Sequence, residues 1–425
     1  MPFFCAVEKR HTECAYYRGR GQGRNSVEGT AHGVCLLQVM GFHWLSSILT
    51  IAVVMAAILG TCAYLIYVER KVAAFMQDRL GPNRVGPGGL LQPIADGLKF
   101  LFKEDIIPAH VDKLLYLAAP AVAMSTALLA LAVVPFGPTS VAPGEWTNYE
   151  FMIAPHVDIG IVFIFAVTSL TVYAILLSGW SSNNKYSFIG GMRASAQLVS
   201  YEIPMGMSIL GVVLLAGSLN LEQIIHDQAQ NGWNIWYQPL GFLIFLVAAF
   251  AECNRLPFDL PEAEQELVGG YHTEYSAIKF ALFFLGEYTH MITTSFVIVA
   301  LFFGGWHFWG IAVPGSGGMI VKLLIFVLKA TFFIMLYMVV RWTIPRFRFD
   351  QLMSLAWKVL IPLAMANVIA VMLIKELGPG WQWWLFPVVA VLLLLASASL
   401  GARAPAARPR VRMTQDGEEL VAVQR

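Results

Sequence analysis

The run Ala251-Glu-Cys-Asn-Arg-Leu-Pro-Phe-Asp-Leu-Pro-Glu-Ala-Glu-Gln-Glu266 sets five carboxylates and one arginine into sixteen residues, between two long apolar segments. The 425-residue chain around it is 57% apolar and 13% charged, with a mean hydropathy of +0.64. That composition belongs to an integral membrane protein rather than to a soluble domain. Charged side chains beside hydrocarbon are unfavourable unless something uses them, so acid this dense points to proton or cation handling.

Outward from this run the chain alternates apolar spans with loops. A helical span needs about 20 apolar residues at 1.5 Å rise each. Nine segments qualify, at roughly 45 to 68, 114 to 135, 158 to 179, 198 to 217, 238 to 253, 277 to 304, 319 to 340, 357 to 376 and 383 to 400. The fifth is short. The sixth exceeds the ~30 Å hydrocarbon slab and is expected to tilt or kink.

Lysine and arginine fix the expected orientation. Arg70, Lys71, Arg79, Arg84, Lys99, Lys103 and Lys113 follow span one, Lys185 and Arg193 follow span three, and Arg341, Arg346 and Arg348 follow span seven. Arg403, Arg408, Arg410 and Arg412 follow span nine, whereas the loops after spans two, four and six hold no lysine or arginine. The positive-inside rule then makes the odd-numbered loops, the C-terminus and the acidic run cytoplasmic.

The expected organisation is a polar extension over 1–40, a helical membrane domain over 41–400 and a basic, disordered cytoplasmic tail over 401–425. Lys9, Arg10, Arg18, Arg20 and Arg24 fit badly with an external N-terminus. Either the true first residue is Met40 or the extension is a disordered segment. A cleaved signal does not fit, because polar residues fill Gly19 to Gly33 before the apolar stretch begins.

Several chemistries are not signalled. The five cysteines show no CxxC spacing and the nine histidines are scattered, so no zinc or iron-sulfur site is expected. Gly19-x-Gly21-x-Gly23 has no strand before it, and no P-loop occurs. With a net charge of +1, nothing suggests nucleic acid. Any redox cofactor is expected in a partner.

Two cytoplasmic elements carry the polar chemistry. Gly81 to Gly89 holds four glycines and two prolines and must turn. An amphipathic helix follows, with Pro93 in its first turn, Ile94, Leu98 and Leu101 on one face, and Gln92, Asp96, Lys99 and Lys103 on another. Its polar face is either solvated at the membrane surface or, through Asp96 and Lys99, the lining of a passage between bilayer and protein.

The second element is the acidic loop, where Pro257 and Pro261 bracket a turn and Pro261 can start a helix. Glu262 and Glu266 then share a face near the positive dipole end. Glu252 at the end of span five, Glu202 in Ser200-Tyr-Glu-Ile-Pro204 and Glu287 in span six border it. Pro204 is expected to break its helix beside Glu202. Ionising one carboxyl at membrane depth costs roughly 2.5–3.5 kcal/mol, so a set of them reads as a proton relay.

The stretches Glu69-Arg-Lys, Arg79-Leu-Gly-Pro-Asn-Arg-Val-Gly-Pro, Leu91-Gln-Pro-Ile-Ala-Asp-Gly-Leu-Lys99, Ser200-Tyr-Glu-Ile-Pro-Met-Gly and the acidic run resemble the complex I subunit 1 family. That family includes the H-type membrane subunit of bacterial NADH:quinone oxidoreductase, respiratory complex I, and the likeness covers about Leu45 to Leu400. It implies an all-α integral membrane protein of about nine transmembrane helices, with a cytoplasmic amphipathic helix and an acidic cytoplasmic loop, in the bacterial inner membrane.

The resemblance also implies a subunit without its own redox centre, in a proton-pumping translocase where FMN and iron-sulfur clusters belong to partner subunits and quinone is substrate. It assigns the quinone tunnel to Arg70, Asp96, Lys99 and Arg255. It assigns the first proton path to Glu202, Glu252, Glu262, Glu264, Glu266 and Glu287. Cys253 stands where the family commonly has Thr, and Gln265 where Ser is frequent. The alternatives are the related membrane subunit of an energy-converting hydrogenase and an autonomous ion antiporter.

Overall fold

A computed structural model of the chain describes residues 28–137, 153–154, 157–259, 268–308, 316–376 and 379–402. Its long elements are α1 (Glu28–Met76), α2 (Gln92–Phe102), α3 (Lys113–Ala130), α4 (Gly160–Ser181), α5 (Lys185–Ala216) and α6 (Leu221–Asn231). They continue as α7 (Pro239–Glu252), α8 (Ala277–Phe302), α9 (Ser316–Thr343), α10 (Phe349–Glu376, one turn of it π-helical) and α11 (Pro379–Ala402). No strand occurs among the described residues.

Each of the nine expected spans overlaps one of these helices, and the chain is an all-α, multi-pass membrane protein. Among the described residues seven helices are long and apolar enough to cross a bilayer; Pro239–Glu252 and the segment Leu385–Leu395 are shorter. α7, with 14 residues, is the short fifth span. α8, with 26 residues, reaches roughly 39 Å at the helical rise. The first 27 residues and those after 402, which hold most of the two expected extensions, lie outside the described residues.

The helix starts follow local chemistry. Asp112, Asn184 and Asn220 accept hydrogen bonds from the backbone N–H groups of Leu114, Tyr186 and Glu222, capping α3, α5 and α6. α5 ends at Gly217, whose φ of 71° suits glycine. At the far end of α8, Lys329 of α9 donates to the carbonyls of Phe303, Gly305 and His307 at 2.7, 3.0 and 2.6 Å. One half-buried ammonium thus satisfies a chain end that hydrocarbon cannot.

The break expected at Pro204 does not occur, and α5 runs unbroken for 32 residues with Pro204 inside it. The turn before the proline is held from the side. The Ser200 hydroxyl donates to the Ala196 carbonyl at 2.7 Å and accepts from the Trp357 indole of α10 at 3.2 Å. Packing therefore keeps the helix going where local propensity would interrupt it.

α5 is the centre of the bundle, packed against α4, α7 and α10, while α8 packs on α3 and α9. Small residues let these backbones approach. A Cβ on Gly190 would fall 2.7 Å from Gly270 Cα and 2.9 Å from its carbonyl carbon, both backbone atoms. Gly190→Ala is therefore expected to cost about 1–3 kcal/mol. Thermal unfolding of the detergent-solubilised protein checks this, and an unaltered midpoint would show that the two segments can part without strain.

Candidate functional site

Between the C-terminal end of α1, the Gly81-Pro82 turn, α2, the start of α8 and the end of α9 lies a cavity of about 990 Å³. Ile66, Phe100, Phe284, Leu285 and Trp342 give it an apolar wall, and Tyr67, Glu69, Arg70, Asp96, Tyr288 and Arg341 give it polar points. An apolar hollow of this size with a few convergent polar groups is the usual form of a small-molecule site. The turn that closes one side depends on glycine. Gly89 has φ 87°, and a Cβ there would run into the Pro82 carbonyl. Tyr67 holds the same turn by donating to the Gly88 carbonyl at 2.7 Å.

α2 has Pro93 in its first turn, as its sequence indicates. Its apolar residues Ile94 and Leu98 are exposed, a surface suited to lipid, while Leu101, also exposed, borders the cavity. Asp96 faces inward. Arg70 donates to it at 2.6 Å and Gln92 at 3.3 Å, while the Lys99 ammonium stands 3.7 Å away. Arg70 and Asp96 border the cavity; Lys99 does not, and its side chain is largely exposed. The segment after α2 is tied to α8 by Lys279, which donates to both oxygens of Asp105 at 2.9 and 2.7 Å.

Behind Asp96 stands a charge cluster centred on Glu69, which is 6% exposed. Arg255 donates to its two oxygens at 3.0 and 3.2 Å, Tyr288 donates at 2.5 Å, and Arg341 donates as well. The Arg255 guanidinium also lies 4.3 Å from the Tyr288 ring centre. Burial alone would lower the Arg255 pKa, but Tyr288 and Glu69 facing it raise it, so the residue stays charged. Arg255 is thus not a wall of the cavity. It holds Glu69, which is.

Sequence reasoning misses Glu69, Tyr288 and Arg341 as site residues. A usable signal is present, since an acid in the last turns of an apolar span requires a partner. Arg341 enters the sequence argument for orientation alone.

The acidic run begins against this cluster. Gln197 of α5 donates to the carbonyls of Ala251 and Phe258 at 2.9 and 2.8 Å, and Arg346 donates to Asp259 at 3.1 Å. These bonds pin residues 251–259 between α5 and the loop after α9. Glu262, Glu264 and Glu266 lie outside the described residues.

A second, small cavity of about 20 Å³ is lined by Glu202 of α5, Glu252 of α7, Thr168 and Thr171 of α4, and His290 of α8, among others. It has room for about one water. Glu202 and Glu252 therefore meet in space although fifty residues separate them in the chain. Glu287 sits one helical turn before His290 and accepts from the Tyr271 hydroxyl at 3.3 Å, outside that cavity. Two carboxyls around a water-sized space, with hydroxyls and an imidazole beside them, can exchange protons. Among the described residues no group of three or more His, Cys, Asp or Glu is placed to hold a metal ion.

Comparison with known proteins agrees with this architecture. The family model described as NADH dehydrogenase matches residues 49–372. The first of the H-type NADH-quinone oxidoreductase subunits of Cytophaga hutchinsonii is 48% identical over 327 residues, covering 76% of this chain and 93% of that protein. NADH-quinone oxidoreductase subunit 8 of Rhodothermus marinus is 48% identical over 335 residues, covering 75% and 93%. The H-type NADH-quinone oxidoreductase subunit of Leptospira biflexa is 51% identical over 320 residues, covering 72% and 88%. The chain belongs to the NADH dehydrogenase family, as an H-type membrane subunit of NADH-quinone oxidoreductase.

Proposed function

We propose that the chain forms the quinone access tunnel of an NADH-quinone oxidoreductase and the first carboxylate segment that couples quinone reduction to proton translocation. The cavity of about 990 Å³ beside Asp96 is the observation that carries this reading. Its wall is greasy enough for an isoprenoid tail, and α2 presents its apolar face outward where a lipid-soluble substrate would approach. Arg70, Asp96 and Tyr67 supply the polar points past which a quinone headgroup slides. Lys99 tunes Asp96 from outside, and Arg255 acts through Glu69.

On this reading the chain itself transfers no electrons. FMN and iron-sulfur clusters belong to partner subunits of the peripheral arm, which docks on the cytoplasmic loops. Reduction of quinone changes the charge near Glu69, Arg255 and Tyr288. The change passes to Glu287 and to the Glu202 and Glu252 pair, with Glu262, Glu264 and Glu266 completing the path in the acidic loop. The protein lies in the bacterial inner membrane with its C-terminus in the cytoplasm, residues 41–400 forming the membrane domain between a polar extension and a basic tail.

Asp96→Asn tests the tunnel. It keeps the shape and removes the charge that holds Arg70, and a lost charge-assisted hydrogen bond of about 1.4 kcal/mol corresponds to about tenfold. The expected result is about a tenfold higher half-saturating concentration of short-chain quinone, with NADH oxidation by a water-soluble artificial acceptor unaltered. An unchanged quinone dependence in fully assembled membranes would remove Asp96 from the tunnel.

A further inference from the structure

We propose that His290 is a proton-holding member of the small carboxylate cavity, taking a proton from one of Glu202 and Glu252 and returning it to the other. The inference rests on the reading of that cavity as a proton path and adds to it a residue of different chemistry. His290 is 5% exposed and borders the same space as the two carboxyls, which come from α5 and α7.

The hydrogen bonds around the ring assign its tautomer. The Thr126 hydroxyl of α3 is directed to the carbonyls of Val122 and Ala123, each at 3.0 Å. Its oxygen therefore accepts from Thr171 of α4, 3.1 Å away. Thr171, its own proton spent on Thr126, accepts in turn from His290 Nε2 at 3.2 Å. That places the ring proton on Nε2 and leaves a bare lone pair on Nδ1. Nδ1 is buried and has no hydrogen-bond partner among the described residues. A purely structural ring here would leave a buried acceptor unused, which folded proteins rarely do. On this proposal the lone pair serves as a base for the two carboxyls that border the same cavity.

The step balances without any further reactant. The O–H bond of a protonated Glu202 or Glu252 breaks, an N–H bond forms at Nδ1, and a carboxylate is left beside an imidazolium. The reverse step delivers the proton to the other carboxylate, while Nε2–H stays with Thr171 throughout. Glu202 and Glu252 are the titratable groups that line this space with His290, and Glu287 lies on the same helix. Thr126, Thr168 and Thr171 are neutral. On the flanks of α8, Cys62 of α1 pairs with Thr289 and Tyr337 of α9 with Thr294.

The test uses the assembled complex in its native membranes. His290→Asn retains a donor toward Thr171 and removes the titrating nitrogen, and His290→Gln does so with longer reach. The expected result is about a tenfold fall in quinone-dependent NADH oxidation, at the low end of what a lost proton-transfer group removes. The pH profile of that activity loses one limb, and NADH oxidation by a water-soluble artificial acceptor stays at the parental rate. Parental rate and pH profile in either variant overturn the proposal. So does a lower rate with an unchanged profile, which is what a structural ring gives, and so does failure of both variants to assemble. Glu252→Gln measured alongside separates the two readings. Loss there with parental behaviour at His290 removes the histidine alone, whereas parental rates in both remove the path.

Discussion

Glu69→Ala is expected to destabilise the protein by about 3–5 kcal/mol, the range found when one partner of a buried ion pair is removed. The effect is large because of what the alanine leaves behind. Arg255 and Arg341 stay in place, with side chains 7% and 28% exposed, and lose the carboxylate that compensates them. The Tyr288 hydroxyl loses its acceptor as well. Repacking cannot hide two guanidinium groups, and water can reach Arg255 poorly.

Glu69→Met combined with Arg255→Met is expected to recover part of the loss, since replacing both members of a buried pair by apolar groups is often close to neutral. Melting of the solubilised complex and the amount assembled in membranes check both variants. A Glu69→Ala complex with parental abundance and melting point would show that the cluster contributes nothing to the fold.

That cluster also marks where the sequence stops being readable. The nine spans, the turn at Gly81 to Gly89 and the separation of Asp96 from the apolar face of α2 follow from apolar length, glycine and proline content, and helical periodicity, all local properties; that Asp96 turns to the cavity does not. Glu69 draws its partners from residues 186, 219 and 272 positions away. No periodicity within α1 reports such distances. Lys99 shows the resolution limit of face assignment. It is three residues from Asp96, which is about 60° around the helix, and that suffices to put one at the cavity and the other outside.

Pro204 misleads for the opposite reason. Its local preference is for a break, but Ser200 and Trp357, packed against the preceding turn, overrule it. The meeting of Glu202 and Glu252 is legible in the sequence only as a shared cost of burial. His290 is not legible at all, because a lone histidine in an apolar helix has no pattern around it.

Glu252→Gln is expected to lower quinone-dependent NADH oxidation and the associated proton pumping by about 100-fold or more, the size of effect general acid-base groups produce. Glutamine preserves the volume and can still bond to Thr168, so the bundle has no reason to rearrange. What it removes is the capacity to gain and lose a proton. Because α7 ends at Glu252, the same residue closes the span and opens the acidic loop held by Gln197 and Arg346. On the proposed function, a proton leaving the cavity beside Asp96 for the membrane interior by way of that loop has to pass it. Glu287→Gln, outside the small cavity, should slow the rate less, because Glu202, Glu252 and His290 can still exchange. NADH oxidation through a water-soluble acceptor reports assembly in both variants. If Glu252→Gln pumps and turns over like the parent while assembled normally, the carboxyl at the end of α7 is a buried structural acid and the proton route runs elsewhere.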